Sequence, residues 1–279
     1  MHELREEVAE DPGAGANVKN DSLGDRAKRY EAAGKQFLVP RVPVLARIDG
    51  RAFHTFTRGL AKPYDADFHA CMWAAATAVC ADIAGCKLAY VQSDEINLLL
   101  TDYETIGSQA HFDYEVPKLT STAAATASVA FLLEYLQRFP DRGERLRTVR
   151  KNPPTFDARF YNVPREDVSN IFLWRQRDAE RNSLTMHAQA HYSHTQLHGK
   201  TRGERLDMLH AKGEDWNQLP TQRKRGVCII RRQHEVNGAT RSRWEPDLDI
   251  PIFSSPEGRR YIDQFTWPWR EDGDGQERV

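Results

Sequence analysis

Two short stretches, Arg47-Ile-Asp-Gly-Arg-Ala-Phe-His54 and Gln92-Ser-Asp-Glu95, decide the fold of this chain. In each of them an acidic residue stands at the end of a hydrophobic run that has the pattern of a β-strand. Asp49 ends the first run and is followed by Gly50, whereas Asp94 lies in a tight turn between two later runs. A carboxylate at a strand end, beside a glycine that lets another group approach closely, suits a hard divalent cation. The two acids therefore predict a metal site, provided that the fold brings them together.

The elements around these acids follow the order β-α-β-β-α-β. Hydrophobic periodicity, with glycine and proline at the ends, predicts strands at 43–48, 87–91, 96–101 and 155–163 and helices at 65–83 and 118–139. This is the ferredoxin-like unit, in which the first and third strands are neighbours. We therefore expect an α+β fold whose palm-like core places Asp49 and Asp94 at one sheet edge, where they could hold two Mg²⁺ ions for phosphoryl or nucleotidyl transfer.

Composition divides the chain into four predicted segments. Residues 1–22 form a polar, flexible leader and residues 271–279 an acidic tail. Residues 23–164, with a short helix at 25–33, form the palm-like catalytic core. Residues 165–270 form a C-terminal extension packed on the palm, with helices at about 167–192 and 201–212 and a strand at 225–231. Residues beyond about 233 have no clear assignment.

The charge balance and the cysteines narrow the class of protein only slightly. The formal net charge of the 279 residues is −1, which argues neither for nor against a nucleic-acid partner. The four cysteines form no Cys-x-x-Cys pair, as is typical of a reducing cytoplasm. The first residues are acidic and lack the apolar core of a signal peptide, and no apolar run is expected to span a bilayer. We therefore expect a cytoplasmic protein without a membrane partner.

Four histidines, at 187, 191, 194 and 198, share the spacing of one helix face. Histidines at i and i+4 can share a zinc ion, and such a stripe can also contact RNA. No cysteine or carboxylate close in sequence completes a ligand set. The pattern therefore favours ordinary packing or solvated histidines.

Several ordered motifs resemble the tRNA-His guanylyltransferase family, including its bacterial and archaeal guanylyltransferase-like branch, over about residues 23–231. Besides the two opening stretches, the motifs are Gly24-Asp-Arg-Ala-Lys-Arg-Tyr-Glu31, Lys62-Pro63, Phe156-Asp-Ala-Arg159, Trp174-Arg-Gln-Arg-Asp178 with Asn182, Gly213-Glu-Asp-Trp-Asn-Gln-Leu-Pro220 and Lys224-Arg-Gly226. The resemblance implies a nucleotidyltransferase that adds nucleotides to the 5′ end of tRNA in the 3′→5′ direction. It also implies two Mg²⁺ ions as cofactors, ATP and GTP as substrates, and assembly into a homo-oligomer, specifically a tetramer.

The resemblance also implies roles for individual residues. Asp49 and Asp94 would be the catalytic carboxylates that hold both metal ions, with the Gly50 carbonyl as a further ligand. Glu95 would have a secondary role, because strand alternation turns its side chain away from that of Asp94. The implied nucleotide-binding residues are Gly50, Arg51, Ala52, Phe53, His54, Lys62, Ser93, Glu95, Lys118, Arg159 and Asn182. The implied RNA-binding residues are Arg175, Arg177, Lys224 and Arg225.

One departure from the family pattern bears on the substrate. Eukaryotic members carry a His-Ile-Asn-Asn-Leu-Tyr-Asn stretch linked to tRNA-His selection, and the matching residues here are Glu180-Arg-Asn-Ser-Leu-Thr-Met186. A glutamate is unfavourable beside RNA phosphates. The departure favours repair of 5′-truncated tRNAs over dedicated addition of guanosine to tRNA-His.

The sequence leaves two other function classes open. A palm-type nucleotide cyclase shares the expected topology, but the Gly-Gly-Asp/Glu-Glu/Phe loop expected of one is missing from the sequence. A non-catalytic RNA-binding protein with a decayed palm is disfavoured because Asp49 and Asp94 are both retained.

Overall fold

The computed structural model describes residues 22–138 and 142–267, so most of the predicted leader and the whole acidic tail lie outside the described residues. The chain divides into two compact units, Met1–Lys35 and Gln36–Val279. The described part of the first unit holds helix α1, Leu23–Ala32. The Ser22 side chain caps this helix by accepting a hydrogen bond from the Asp25 N–H at 3.0 Å. The predicted short helix is therefore present.

A six-stranded sheet forms the centre of the second unit. Its strands are β1 (Val44–Gly50), β2 (Cys86–Gln92), β3 (Glu95–Leu100), β4 (Phe156–Asn162), β5 (Val227–Val236) and β6 (Ala239–Asp247). They are ordered β4-β1-β3-β2-β5-β6 and every pairing is antiparallel. The first four strands give the predicted ferredoxin-like order, and the α+β class is confirmed. Strand β6 was not predicted, because its sequence, Ala-Thr-Arg-Ser-Arg-Trp-Glu-Pro-Asp, lacks an apolar face and most of its side chains stay exposed.

Helices cover both faces of this sheet. The remaining helices are α2 (Phe53–Phe56), α3 (Ala66–Asp82), α4 (Val116–Arg138), α5 (Arg142–Lys151), α6 (Val168–His191), α7 (His194–Leu197), α8 (Arg202–His210), α9 (Thr221–Arg225) and α10 (Pro256–Thr266). Side-chain caps set several boundaries, and the Asp65 carboxylate accepts from the Phe68 N–H at 2.9 Å to start α3. The helices predicted at 65–83, 118–139, 167–192 and 201–212 are present as α3, α4, α6 and α8, whereas α2, α5, α9 and α10 were not predicted.

Strand alternation decides which side chains reach each face. Val44, Ala46 and Ile48 pack in a core with α3 and α4. Leu45 points to the other face and packs in a second core with α6 and α10. Asp49 has the same parity as Leu45 along the strand, so the charged end of β1 lies on the face that α6 covers.

Helix α4 bears on the membrane prediction. By length and composition α4 could cross a membrane, so the expectation that no apolar run is long enough is wrong. However, one face of α4, from Leu119 to Tyr135, is fully buried in the core with α3 and the sheet. The same apolar composition is what a long core helix of this kind needs.

Candidate active site

The two predicted acids meet at the edge shared by β1 and β3. In the antiparallel register Asp49 lies opposite Glu95, and the Gly50 N–H donates to the Asp94 carbonyl at 3.0 Å. Asp94 follows Ser93, whose φ of 49° gives the β2–β3 connection its tight turn. The Ser93 hydroxyl donates to Asp94 Oδ1 at 3.1 Å. Asp49 and Asp94 are 45 positions apart in the chain (94 − 49), yet they lie on one short segment of the sheet edge.

A close backbone approach explains the glycine after Asp49. A Cβ atom at Gly50 would lie 2.5 Å from Cγ of Phe53, so the aromatic ring packs directly on the glycine backbone. The chain then turns through Ala52, which adopts left-handed backbone angles with φ 54°. The Arg51 N–H fixes the same loop by donating to the Thr155 carbonyl at 2.8 Å. Residues 50–53 therefore fold back over the end of β1.

Negative charge is concentrated at this edge of the sheet. We call Asp49, Asp94, Glu95 and Asp157 the acidic edge; Asp157 lies on β4 directly opposite Asp49. Burial raises the pKa of Asp49, and the other three carboxylates raise it further, while Arg47 opposes them. Burial also raises the pKa of Asp94, and Glu95 adds to the effect. Carboxylates that disfavour one another's charge are relieved by a divalent cation, so this donor set fits Mg²⁺.

Glu95 has a different environment from its neighbour Asp94. It is buried, with an exposed fraction of 3 %, and its Oε2 lies 2.6 Å from Arg47 Nε and 3.4 Å from Arg175 Nη1. The Arg47 contact lacks hydrogen-bond alignment, so we treat it as an ion pair. Asn97 donates to the other carboxylate oxygen at 2.8 Å. With both oxygens engaged by the protein, Glu95 is a structural acid, which corrects the prediction of a nucleotide contact.

The same ion pair corrects the prediction for Arg175. This arginine, on α6, was expected to face RNA, yet its exposed fraction is 7 % and its guanidinium contacts Glu95. Arg177, two residues further along the helix, is exposed. The prediction failed because a charged residue on a polar helix looks solvent-facing unless its buried partner is known.

A cavity of about 890 Å³ opens beside Asp94. Its volume lies in the range of small-molecule and cofactor pockets, about 300–1,000 Å³. Five further predicted nucleotide-binding residues line it, namely Phe53, His54, Lys62, Ser93 and Asn182. The sequence motifs therefore converge on one pocket next to the acidic edge.

Other predicted nucleotide-binding residues lie outside the cavity wall. Arg159 is on β4 opposite Arg47, on the Asp49 face of the sheet, and its Nη2 lies 3.3 Å from Asp157 Oδ1. Lys118 is in the first turn of α4 and forms an ion pair of 3.0 Å with Glu115. Gly50, Arg51, Ala52 and Glu95 do not line the cavity either.

The cavity wall contains an aromatic and cationic group that sequence reasoning missed. The rings of Tyr64 and His69 are stacked with centroids 4.0 Å apart, and the Arg223 guanidinium lies 4.7 Å from the Tyr64 centroid. Burial lowers the pKa of His69, whose Nδ1 lies 2.7 Å from the Asp65 carbonyl oxygen. No local signal could have joined Arg223 to this pair. Asp157 was also missed, although its alternation with Arg159 on β4 is a signal that could have found it.

Two of the predicted RNA-binding cations are engaged within the protein. Lys224 donates to the Asn217 carbonyl at 2.6 Å, and Arg225 Nε lies 2.8 Å from Glu180. Trp216, in the same region, is buried and donates to the Ser183 hydroxyl at 3.0 Å. The tryptophan thus holds its loop against α6.

A palm-like sheet with strand-end carboxylates beside a nucleotide-sized cavity fits the class of nucleotidyltransferases. Comparison with known proteins agrees: the family model described as tRNAHis guanylyltransferase matches residues 24–164. The chain belongs to the tRNA-His guanylyltransferase family, and it is a nucleotidyltransferase.

Individual relatives support this assignment. A bacterial tRNA-His guanylyltransferase-like protein solved in complex with ATP is 40 % identical, with a TM-score of 0.78, covering 88 % of this chain and 100 % of its own. A bacterial tRNA-His guanylyltransferase-like protein solved in complex with GTP is 38 % identical, with a TM-score of 0.72 and the same coverage of both chains. The tRNA(His) guanylyltransferase of Debaryomyces hansenii is 33 % identical over 160 residues, 56 % of each chain.

Proposed function

We propose that this protein is a metal-dependent nucleotidyltransferase that adds nucleotides to the 5′ end of tRNA in the 3′→5′ direction. The observation that carries the proposal is the meeting of Asp49 and Asp94 beside the cavity. The related structures with ATP and GTP support nucleoside triphosphates as the substrates bound there.

The acidic edge would hold two Mg²⁺ ions through Asp49, Asp94 and the Gly50 carbonyl. When bound, the ions supply Lewis-acid polarisation of the reacting phosphate and ease the loss of a proton from the attacking hydroxyl. Arg47 orients the Asp49 carboxylate, since its Nη2 donates to Oδ2 at 3.1 Å. The folded loop at residues 50–53 leaves Phe53 and His54 against the cavity.

Cationic side chains would neutralise the triphosphate. Lys62 lines the cavity, Lys118 lies at the start of α4 and Arg159 lies on the Asp49 face of the sheet. Preorganised cations of this kind stabilise the charge that builds on phosphate oxygens in the transition state. Ser93 and Asn182 also line the cavity and would add polar contacts to the nucleotide.

The environment of Glu180 favours tRNA repair over dedicated tRNA-His guanylylation. Glu180 occupies the position of the family histidine and holds Arg225 in an ion pair of 2.8 Å. The pair removes one cation from RNA binding and leaves a carboxylate where a histidine is linked to tRNA-His selection. We therefore propose templated or GTP-preferring extension of tRNAs that lack their first nucleotide, with guanosine addition to tRNA-His as the second candidate.

One assay separates these activities. The protein is incubated with Mg²⁺, ATP, labelled GTP and either full-length tRNA-His or a tRNA lacking its first nucleotide. Extension of the truncated tRNA alone is expected. Addition to tRNA-His alone supports the second candidate, and a cyclic nucleotide with no change in tRNA length contradicts the proposal.

We also infer a cytoplasmic homotetramer from the family resemblance. Light scattering of the purified chain measures its mass directly, and a monomer at working concentration contradicts this inference.

A further inference from the structure

A second cluster of ligand-type side chains lies on another wall of the same cavity. His187 and His191, on the last turns of α6, and Glu214, from the loop after α8, offer three ligand atoms that all lie within 4.8 Å of one another. We call these three residues the histidine wall. All of them line the cavity, and none belongs to the acidic edge.

The fold explains how a distant glutamate reaches the two histidines. Ser183, His187 and His191 are spaced four residues apart and so share one stripe of α6. Trp216 is buried and donates to the Ser183 hydroxyl at 3.0 Å, which holds its loop against this stripe. The Glu214 N–H donates to the Leu209 carbonyl at 3.0 Å and fixes the same loop to the end of α8.

The sequence predicts that four histidines share one helix face, and this prediction is wrong for His194 and His198. Helix α6 ends at His191, and Ser193 starts α7 with a capping box formed with Gln196. His194 and His198 lie beyond this break and are exposed. No carboxylate close in sequence completes this ligand set, and the carboxylate comes instead from Glu214.

The His187 ring is buried without hydrogen bonds. Its exposed fraction is 5 %, and neither ring nitrogen has a hydrogen-bond partner within the part of the chain that the structure describes. Nε2 lies 3.3 Å from Glu214 Oε2, but this close contact does not meet hydrogen-bond geometry. A buried polar ring in this state is costly unless another species occupies the space between nitrogen and oxygen.

The separations suit a tetrahedral transition-metal ion. Ligand atoms about 2.0–2.1 Å from a tetrahedral zinc lie about 3.4 Å from one another. The two histidine Nε2 atoms lie 3.3 and 3.8 Å from the two oxygens of the Glu214 carboxylate. The larger separation belongs to His191, which is the more exposed of the two histidines. Imidazole nitrogens favour zinc-like ions, whereas Mg²⁺ requires oxygen ligands, so this site differs in kind from the acidic edge.

We propose that His187, His191 and Glu214 form a second metal site, which binds one Zn²⁺-class divalent ion and directs its fourth coordination position towards the cavity. Two histidines and one glutamate are a ligand set found in zinc sites that keep one position for water. This proposal is independent of the tRNA reaction, because its evidence and its test concern metal binding alone.

Cobalt titration of the full chain tests the site. The metal-free protein is titrated with Co²⁺ while the visible absorption is recorded, and Zn²⁺ is then added. We expect one Co²⁺ per chain with the intense bands of tetrahedral coordination, displaced by Zn²⁺ and unaffected by millimolar Mg²⁺. Absence of a zinc-displaceable band overturns the proposal.

Variants locate the ion. Glu214→Gln and His191→Gln alter the less buried ligands, and each is expected to weaken Co²⁺ binding by at least about tenfold, since even outer-sphere changes cost about 10–100-fold. The matched control is His194→Gln with His198→Gln, which removes histidines outside the wall and is expected to leave binding unchanged. Equal loss in the control, or full affinity in both ligand variants, contradicts the assignment.

Two further measurements guard against misfolding and against the wrong site. Thermal unfolding of each metal-free variant should match that of the wild type, and Zn²⁺ should raise the unfolding temperature of the wild type more than that of Glu214→Gln. Asp49→Asn should retain the zinc-displaceable band. Loss of the band in that variant would place the ion at the acidic edge and overturn the proposal.

Discussion

The acidic edge reaches the cavity through Asp94 and the histidine wall lines it with all three residues, but the two groups are built differently. Carboxylates at the ends of paired strands form the acidic edge, where the sheet register fixes Asp49 opposite both Glu95 and Asp157. The histidine wall combines one helix stripe with a loop that Trp216 holds in place. The first offers only oxygen atoms and suits hard cations, while the second offers two nitrogens and suits softer ones. The two proposed metal sites therefore differ both in their donor atoms and in the elements that hold them.

Within the acidic edge, neighbouring acids also differ in how their charge is balanced. Glu95 is buried between two arginines, whereas burial and the Glu95 charge raise the pKa of Asp94. Removing the charge of Glu95 should therefore lower the free energy of unfolding, whereas removing the charge of Asp94 should leave it unchanged or raise it.

The largest expected effect is on catalysis by the acidic edge. Asp49→Asn or Asp94→Asn should lower the rate of nucleotide addition by about a thousandfold, because metal ions contribute several kcal/mol of transition-state stabilisation. Single-turnover extension of a truncated tRNA measures the rate, and tRNA binding by filter retention should persist. The unfolding temperature should stay the same or rise, since burial and like charge disfavour the ionised carboxylates. Normal addition by either variant contradicts the two-metal assignment.

Glu95→Gln should instead destabilise the fold by about 3–5 kcal/mol, because it leaves the buried Arg175 without its counter-charge and leaves Arg47 with Asp49 alone. Urea denaturation followed by circular dichroism measures this difference. Asp94→Asn is the matched control, since it removes the same charge one residue away. If both variants unfold at the same urea concentration, the distinction between structural and catalytic acids is wrong.

Gly50→Ala should cost about 1–3 kcal/mol of stability, because the new methyl group meets the Phe53 ring at 2.5 Å. Gly203→Ala is the control: no heavy atom lies within 4 Å of the added Cβ in the described chain, and the residue is helical. That change should stabilise the protein by about 0.4–1 kcal/mol. Equal stability of the two variants would show that the loop at residues 50–53 is not closely packed.

The smallest expected effect concerns Glu180, which is on the same helix as the histidine wall. Glu180→Gln frees Arg225 and should steepen the slope of log binding constant against log salt for tRNA by about 0.7–0.9, the value of about one added phosphate contact. Stability should change by only about 0–1 kcal/mol, as for a partly exposed ion pair. Arg225→Gln in the Glu180→Gln background should restore the original slope, and an unchanged slope in Glu180→Gln excludes Arg225 as an RNA contact.

Much of the fold was predictable because its signals are local. Apolar runs along β1 and β3, the helix periods of α3 and α4, and the glycines and prolines at their ends sufficed to predict the palm topology. Strand β6 was missed because an exposed, arginine-rich strand carries no apolar alternation. The burial of Arg175 was missed because the partner that makes it favourable, Glu95, lies 80 positions away.

The sequence by itself determined the palm order, the meeting of Asp49 and Asp94, and the family, since strand pairing in a known topology follows from short-range patterns. Only the tertiary structure decided that Glu95 is neutralised by arginines, that Glu180 holds Arg225, and that Glu214 approaches two histidines. These outcomes depend on how α6 packs on the sheet and on the loop after α8. Packing between distant segments depends on the whole core, so it cannot be predicted from a local sequence pattern.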